Sequence, residues 1–145
     1  MKLDPDCVRD LMLFCEEHTY IKTEKIGRYI AARYHVLYVD SMRHIPPLNK
    51  YNTGALIYHI IQLSESGYLA TDFRFDPVEN FRHNALPAIY YVTPKGHEFI
   101  ASIVGKAQWD KTSKILRSLG SVSLTVIETV SKGIASAAIE QILAQ

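Results

Sequence analysis

Between Asn52 and Gly105 the chain reads helix, strand, loop, strand, helix, and this order limits the fold more than any other feature. Asn52 or Thr53 can cap a helix in which Leu56, Ile60 and Leu63 recur at helical spacing, with Gly67 at the stop position. The spacing predicts a helix from Thr53 to Ser66. Tyr68 to Phe75 then reads as a strand, Asp76-Pro77 turns the chain, and 76–87 is a polar loop with two prolines. Ala88 to Val92 is a second, strongly β-prone strand. Thr93 caps the following helix, Pro94 takes its first position, and Gly105 ends it.

Upstream, Asp4-Pro5 opens a helix whose Val8, Leu11, Met12 and Cys15 form one apolar face, running from Pro5 to about His18. Residues 19–50 are the least regular. Thr23 and Glu24 are expected to open a short helix bearing Ile26 and Ile30, Tyr34 to Val39 is strand-like, and Pro46-Pro47 interrupts what precedes it. This stretch is also the most basic, with Lys22, Lys25, Arg28, Arg33, Arg43 and Lys50 against Glu24 and Asp40. Downstream, a helix from Ala107 to Leu119 carries Trp109 as an expected core anchor. A second, low-charge helix spans Ser121 to Ala144.

Helix, irregular segment, helix, strand, loop, strand, helix is the order of an α+β winged helix-turn-helix domain, in which the central helix reads DNA and the loop is the wing. The expectation is a winged-helix domain over 1–105 with a two- or three-stranded antiparallel wing. Two C-terminal helices follow over 106–145. The last of them has three charges and a wide apolar surface, which cannot stand alone in water. Leu124, Ile127, Val130, Ile134, Ala137 and Ala138 are therefore expected to form a homodimer interface.

At 145 residues, with 48% apolar and 21% charged residues, the chain can bury a core without disulfides or metal. Cys7 and Cys15 sit eight residues apart on one helix, about 12 Å, too far for a disulfide. Two buried thiols in a reducing, cytoplasmic setting are expected. Cys15 and His18 are too few for a metal site, and no apolar run is long enough to span a membrane.

Leu56–Leu63, Gly67-Tyr68-Leu69 and Tyr91–Ile100 resemble the helix–wing–T-x-K-G pattern of many bacterial winged-helix proteins. The opening Lys2-Leu3-Asp4-Pro5-Asp6-Cys7-Val8-Arg9-Asp10 and the segment Thr93-Pro94-Lys95-Gly96-His97-Glu98-Phe99 resemble an uncharacterised domain family of phages and prophages of Gram-positive bacteria. So do Trp109–Thr112 and Gly120–Leu124. The family is known only as a domain of unknown function, and the resemblance leaves out residues 19–50 and the wing loop. It implies a small, non-enzymatic, phage-related winged-helix protein acting in the bacterial host cell.

The chemistry agrees with a non-enzyme. No nucleophile elbow, zinc-protease helix or phosphate-binding glycine loop occurs, and no cofactor or metal is expected. If double-stranded DNA is bound, the expected contacts are Lys50, Asn52, Thr53, Tyr58, His59 and Gln62 on or before the central helix, and Arg74 and Arg82 beside the wing. Lys22, Lys25, Arg28, Arg33 and Arg43 form a candidate basic patch, with Tyr29, Tyr34 and Tyr38 interleaved. Against this, the central helix has no Lys or Arg. The alternative is an interaction module that binds a host protein, as a counter-defence or host-takeover factor.

Overall fold

Asp4 starts the first helix by accepting the Asp6 amide at 2.9 Å, and Pro5 supplies a pre-set backbone angle. In the computed structural model, which describes residues 1–72 and 87–145, this helix is α1 (Pro5–His18). It buries Cys7, Val8, Leu11, Met12, Phe14 and Cys15.

The helix expected from Thr23-Glu24 does not form. Ile21–Ile26 (β1) and Tyr29–Tyr34 (β2) pair instead as an antiparallel hairpin, Ile26 opposite Tyr29, so that only Gly27-Arg28 lie between them. Gly27 adopts φ +59°, as two-residue hairpin turns of this kind require, and the flanking β-branched and aromatic residues favour extended backbone. The run Tyr34–Val39 is likewise divided. Tyr34 ends β2, Leu37–Tyr38 form a short strand β3, and Val39 opens a four-residue helix α2 (Val39–Met42).

A single 3-10 turn (Leu48–Lys50) leads to α3 (Thr53–Glu65), capped by Asn52, whose Oδ1 accepts the Ala55 amide at 2.7 Å. β4 (Leu69–Thr71) and β5 (Ala88–Val92) follow, then α4 (Pro94–Ile103), α5 (Lys106–Leu119) and α6 (Leu124–Leu143). The described residues thus hold six helices and two antiparallel sheets, the hairpin β1-β2 and a three-stranded sheet in the order β3-β5-β4. Within the strand expected at 68–75, Leu69–Thr71 pair with β5. Positions 73–75 and most of the expected wing loop lie outside the described residues.

One buried cluster unites the chain. Leu11 and Cys15 of α1, Leu56, Ile60 and Leu63 of α3, and Ile89 of β5 share it with Trp109, Leu116, Leu124 and Ile127. The helices of the expected extension over 106–145 thus contribute Trp109, Leu116, Leu124 and Ile127 to the same core. Trp109 anchors α5 against α1: its indole N–H donates to Asp6, 3.1 Å away, and the Arg9 guanidinium lies 5.7 Å from its ring. Arg9 also donates to the carbonyls of Ile103 and Val104, at 2.7 and 2.9 Å, satisfying the C-terminal end of α4.

The segment Thr93–Gly96 locks the sheet to α4. The Thr93 hydroxyl accepts the Gly96 amide at 3.0 Å and donates to the Gly67 carbonyl at 2.5 Å, and the Thr93 N–H donates to the Tyr68 carbonyl. Lys95 donates to the Ser66 carbonyl at 2.9 Å. Gly96 is buried under this turn, where an added Cβ would strike the Tyr68 carbonyl oxygen and stand 2.7 Å from Val92 Cγ1.

Because that obstacle is backbone, Gly96→Ala should destabilise the protein by about 1–3 kcal/mol, a loss typical of overpacking. A thermal melt by circular dichroism checks this, and an unchanged midpoint would contradict the close approach. The thiols give a second prediction. Burial pushes Cys15 up to about 12, and burial reinforced by Asp4 and Asp10 does the same to Cys7. Both should stay protonated and resist a disulfide-exchange reagent at about pH 8, then react fully on addition of denaturant.

Candidate functional site

The β1-β2 hairpin stands out from the body as an arm: every residue of both strands is exposed. Its base is fixed by three contacts. The His35 N–H donates to the Tyr20 carbonyl at 2.9 Å, the two rings stack 4.6 Å apart, and Tyr34 meets Tyr91 of β5 at 5.1 Å. Strand pairing sets the cations in order along the arm. Lys22 is opposite Arg33 and so shares its face, Lys25 lies nearer the tip, and Arg28 is in the turn. Among the described residues none of the four makes an ion pair.

Where the arm leaves the body it walls a cleft of about 720 Å³, lined by Lys22, Arg33, Tyr34, Tyr38, His18 and Tyr90 among others. The His18 ring stacks on Phe14 at 3.9 Å and its Nδ1 donates to the Phe14 carbonyl, while the Tyr90 hydroxyl donates to Asp72 at 2.8 Å. Cations beside open aromatic rings can take phosphate and planar groups together. Sequence reasoning singled out Lys22, Arg33, Tyr34 and Tyr38 but missed His18, His35 and Tyr90 as neighbours. Only the spacing of Phe14 and His18, one helical turn apart, hinted at any of this.

The other expected DNA contacts are placed differently. His59 is buried at 3% exposure and is a brace for α1. Its Nε2 accepts the Asp4 amide at 2.8 Å, so Nδ1 carries the hydrogen and donates to the Ala55 carbonyl at 2.7 Å. It cannot also reach a base edge. The helical spacing placed it on the outward face because α1's N-terminus, which covers it, is 55 residues away in sequence. Tyr58 and Gln62 are half-buried, and Asn52 is occupied as a cap. Lys50 pairs with Asp10 at 3.0 Å, an acid that also accepts the Tyr51 hydroxyl at 2.6 Å. Arg43 stands apart from the arm, 3.3 Å from Asp40 and 3.4 Å from the Thr53 hydroxyl. Arg74 and Arg82 lie outside the described residues.

The expected dimer residues divide along α6. Leu124 and Ile127 are buried against their own protomer, 7% and 0% exposed, so they are core and not interface. Val130, Ile134 and Ala138 are half-buried and Ala137 is exposed. The large apolar groups that remain open are Ile139, Ile142 and Leu143, at the far end of the helix.

Among the described residues no three His, Cys, Asp or Glu side chains gather as metal ligands, and no described helix is long and apolar enough to cross a membrane.

No curated protein and no solved structure matches the chain significantly. A family model described as "Hypothetical protein (DUF2513)" does match, over residues 2–123. That span takes in α1, the arm, α3, the three-stranded sheet, α4 and α5, and on this ground the chain belongs to the DUF2513 family.

Proposed function

We propose that this chain is a non-catalytic, phage-related DNA-binding regulator of the winged-helix type, acting as a homodimer. The observation that carries the reading is the concentration of Lys22, Lys25, Arg28 and Arg33, against the single acid Glu24, on an exposed arm. Such a surface supplies the phosphate contacts that dominate non-specific affinity. The topology supports the same reading. With the arm set aside, the order α1–β3–α2–α3–β4–β5 with strands in the sequence β3-β5-β4 suits a helix-turn-helix backed by a small antiparallel sheet. The phage connection rests only on the resemblance of the opening segment, Thr93–Phe99, Trp109–Thr112 and Gly120–Leu124.

The arm takes over the electrostatic role that α3 cannot fill, since α3 has no Lys or Arg. A gel shift with salt titration tests this. The wild-type chain should bind duplex DNA at about 50 mM salt, and Lys22→Ala with Arg33→Ala should lower the slope of log affinity against log salt by roughly 2, about 0.9 per lost phosphate contact. Absence of binding at low salt overturns the reading.

The second reading, a module that binds a host protein, is favoured by that same lack of Lys and Arg on α3, whose one charged residue is Glu65. It would take the lead if duplex binding failed while a defined partner bound stoichiometrically.

For the homodimer, the open Ile139, Ile142 and Leu143 replace Leu124 and Ile127 as the contact. Deleting residues 135–145 leaves the core intact and should halve the mass seen by light scattering. A truncated chain with the full-length oligomeric state rejects the α6 contact.

A further inference from the structure

The tip of the arm is apolar as well as basic. Ile26, Tyr29 and Ile30, which flank the Gly27-Arg28 turn, are 58%, 79% and 73% exposed. A two-stranded hairpin is marginal in water on its own, and this one leaves both faces exposed, with Ile21, Ile26, Tyr29, Ile30 and Tyr34 uncovered and three of these five at the tip. An occupant must therefore accept apolar groups at the tip and cations along the stem.

A second copy of the arm is a poor occupant, because four cations would face four cations. A lipid surface is also poor. Lys25 and Arg28 are at the leading end, so burying Ile26, Tyr29 and Ile30 in hydrocarbon would carry those charges in with them. Duplex DNA accepts both features. Phosphates flank each groove and meet the cations, while base steps can be parted by an apolar wedge.

We propose that the β1-β2 arm enters a DNA groove and that Ile26, Tyr29 and Ile30 wedge between base steps at its tip, bending the duplex. This rests on the DNA-binding reading above and adds a mechanical consequence to it. The stem residues Lys22 and Arg33 hold the backbone, and the tip parts the stack. Flexible pyrimidine–purine steps should be preferred, since they unstack most easily.

The test uses the full chain and a duplex of about 30 base pairs with central TA steps, end-labelled for energy transfer. The wild-type protein should bring the ends together by a bend of about 20–90°, the range of known wedge binders. The variant Ile26→Ala/Tyr29→Ala/Ile30→Ala, confirmed as folded by circular dichroism, should still bind in a gel shift but leave the transfer efficiency at the value of free DNA. Replacing the central TA steps by a stiff A-tract should weaken wild-type binding several-fold and leave the tip variant unaffected.

Wild-type binding without a change in transfer efficiency overturns the wedge and leaves DNA binding standing. Undiminished bending by the tip variant also overturns it. Absence of duplex binding by the wild-type chain overturns both readings. Binding to anionic phosphatidylserine vesicles instead of duplex assigns the arm to a membrane surface and rejects the wedge.

Discussion

Tyr68 is where the sheet, α3, α4 and α6 are joined. Its N–H donates to the Leu63 carbonyl at the end of α3, and its carbonyl accepts the Thr93 N–H and packs on Gly96. Its ring lies against Phe99 at 5.0 Å, with the Lys95 ammonium 4.7 Å from the ring centre, and its hydroxyl donates to Glu128 of α6. Burial raises the phenol's pKa and the Glu128 carboxylate adds to that, so the group stays a donor. Burial alone would raise Glu128, but hydrogen bonds from Lys132 and Tyr68 outweigh it and hold the carboxyl below its ordinary value. A single side chain at 2% exposure thus fixes the exit from α3, the start of β4 and the seat of α6.

The same economy explains the segments on which the family resemblance rests. Asp4 caps α1, Asp6 accepts from Trp109, Arg9 satisfies the end of α4, and Asp10 holds Tyr51 and Lys50. Thr93, Lys95 and Gly96 close the turn around Tyr68. These groups are engaged with one another and have little left to offer a ligand. The resemblance therefore testifies to a shared scaffold. The four cations of the arm lie in the stretch 19–50, which those motifs leave out but which the family match over residues 2–123 includes.

The helices were legible because their signals are local. Asp4-Pro5, Asn52, Thr93-Pro94 and the glycines at 67, 105 and 120 act within one turn of backbone, and α1, α3, α4 and α5 start or stop where these residues place them. The arm was not legible for a related reason. Thr23-Glu24 imitates a helix cap, while the interaction that overrides it, the pairing of residues 21–26 with 29–34 around Gly27, depends on a partner strand. His59, Leu124 and Ile127 show the same limit at longer range. Helical spacing rightly put Leu124 and Ile127 on an apolar face but wrongly put His59 on an outward one, because the α1 N-terminus that covers it is 55 residues away in the chain. The cations Lys22, Lys25, Arg28 and Arg33 were legible as a basic group, whereas their projection from the body was not.

A net charge of +1 gives no hint of this arrangement, because structure sorts the charges by use. Two acids of α1 are engaged within the fold: Asp10 has only 15% of its side chain exposed and is matched by Lys50, and Asp6 accepts from an indole. Exposed pairs such as Lys106–Asp110 at 2.9 Å and Lys132–Glu128 at 2.7 Å cancel locally. Lys22, Lys25, Arg28 and Arg33 of the arm take part in none of these pairs, and their exposure keeps them hydrated while their field reaches outward by about a Debye length, some 8 Å at physiological salt. The arm is thus a basic ribbon with Ile26, Tyr29 and Ile30 exposed at its end. A near-neutral chain can present such a ribbon to a polyanion without paying the self-repulsion of a uniformly basic protein.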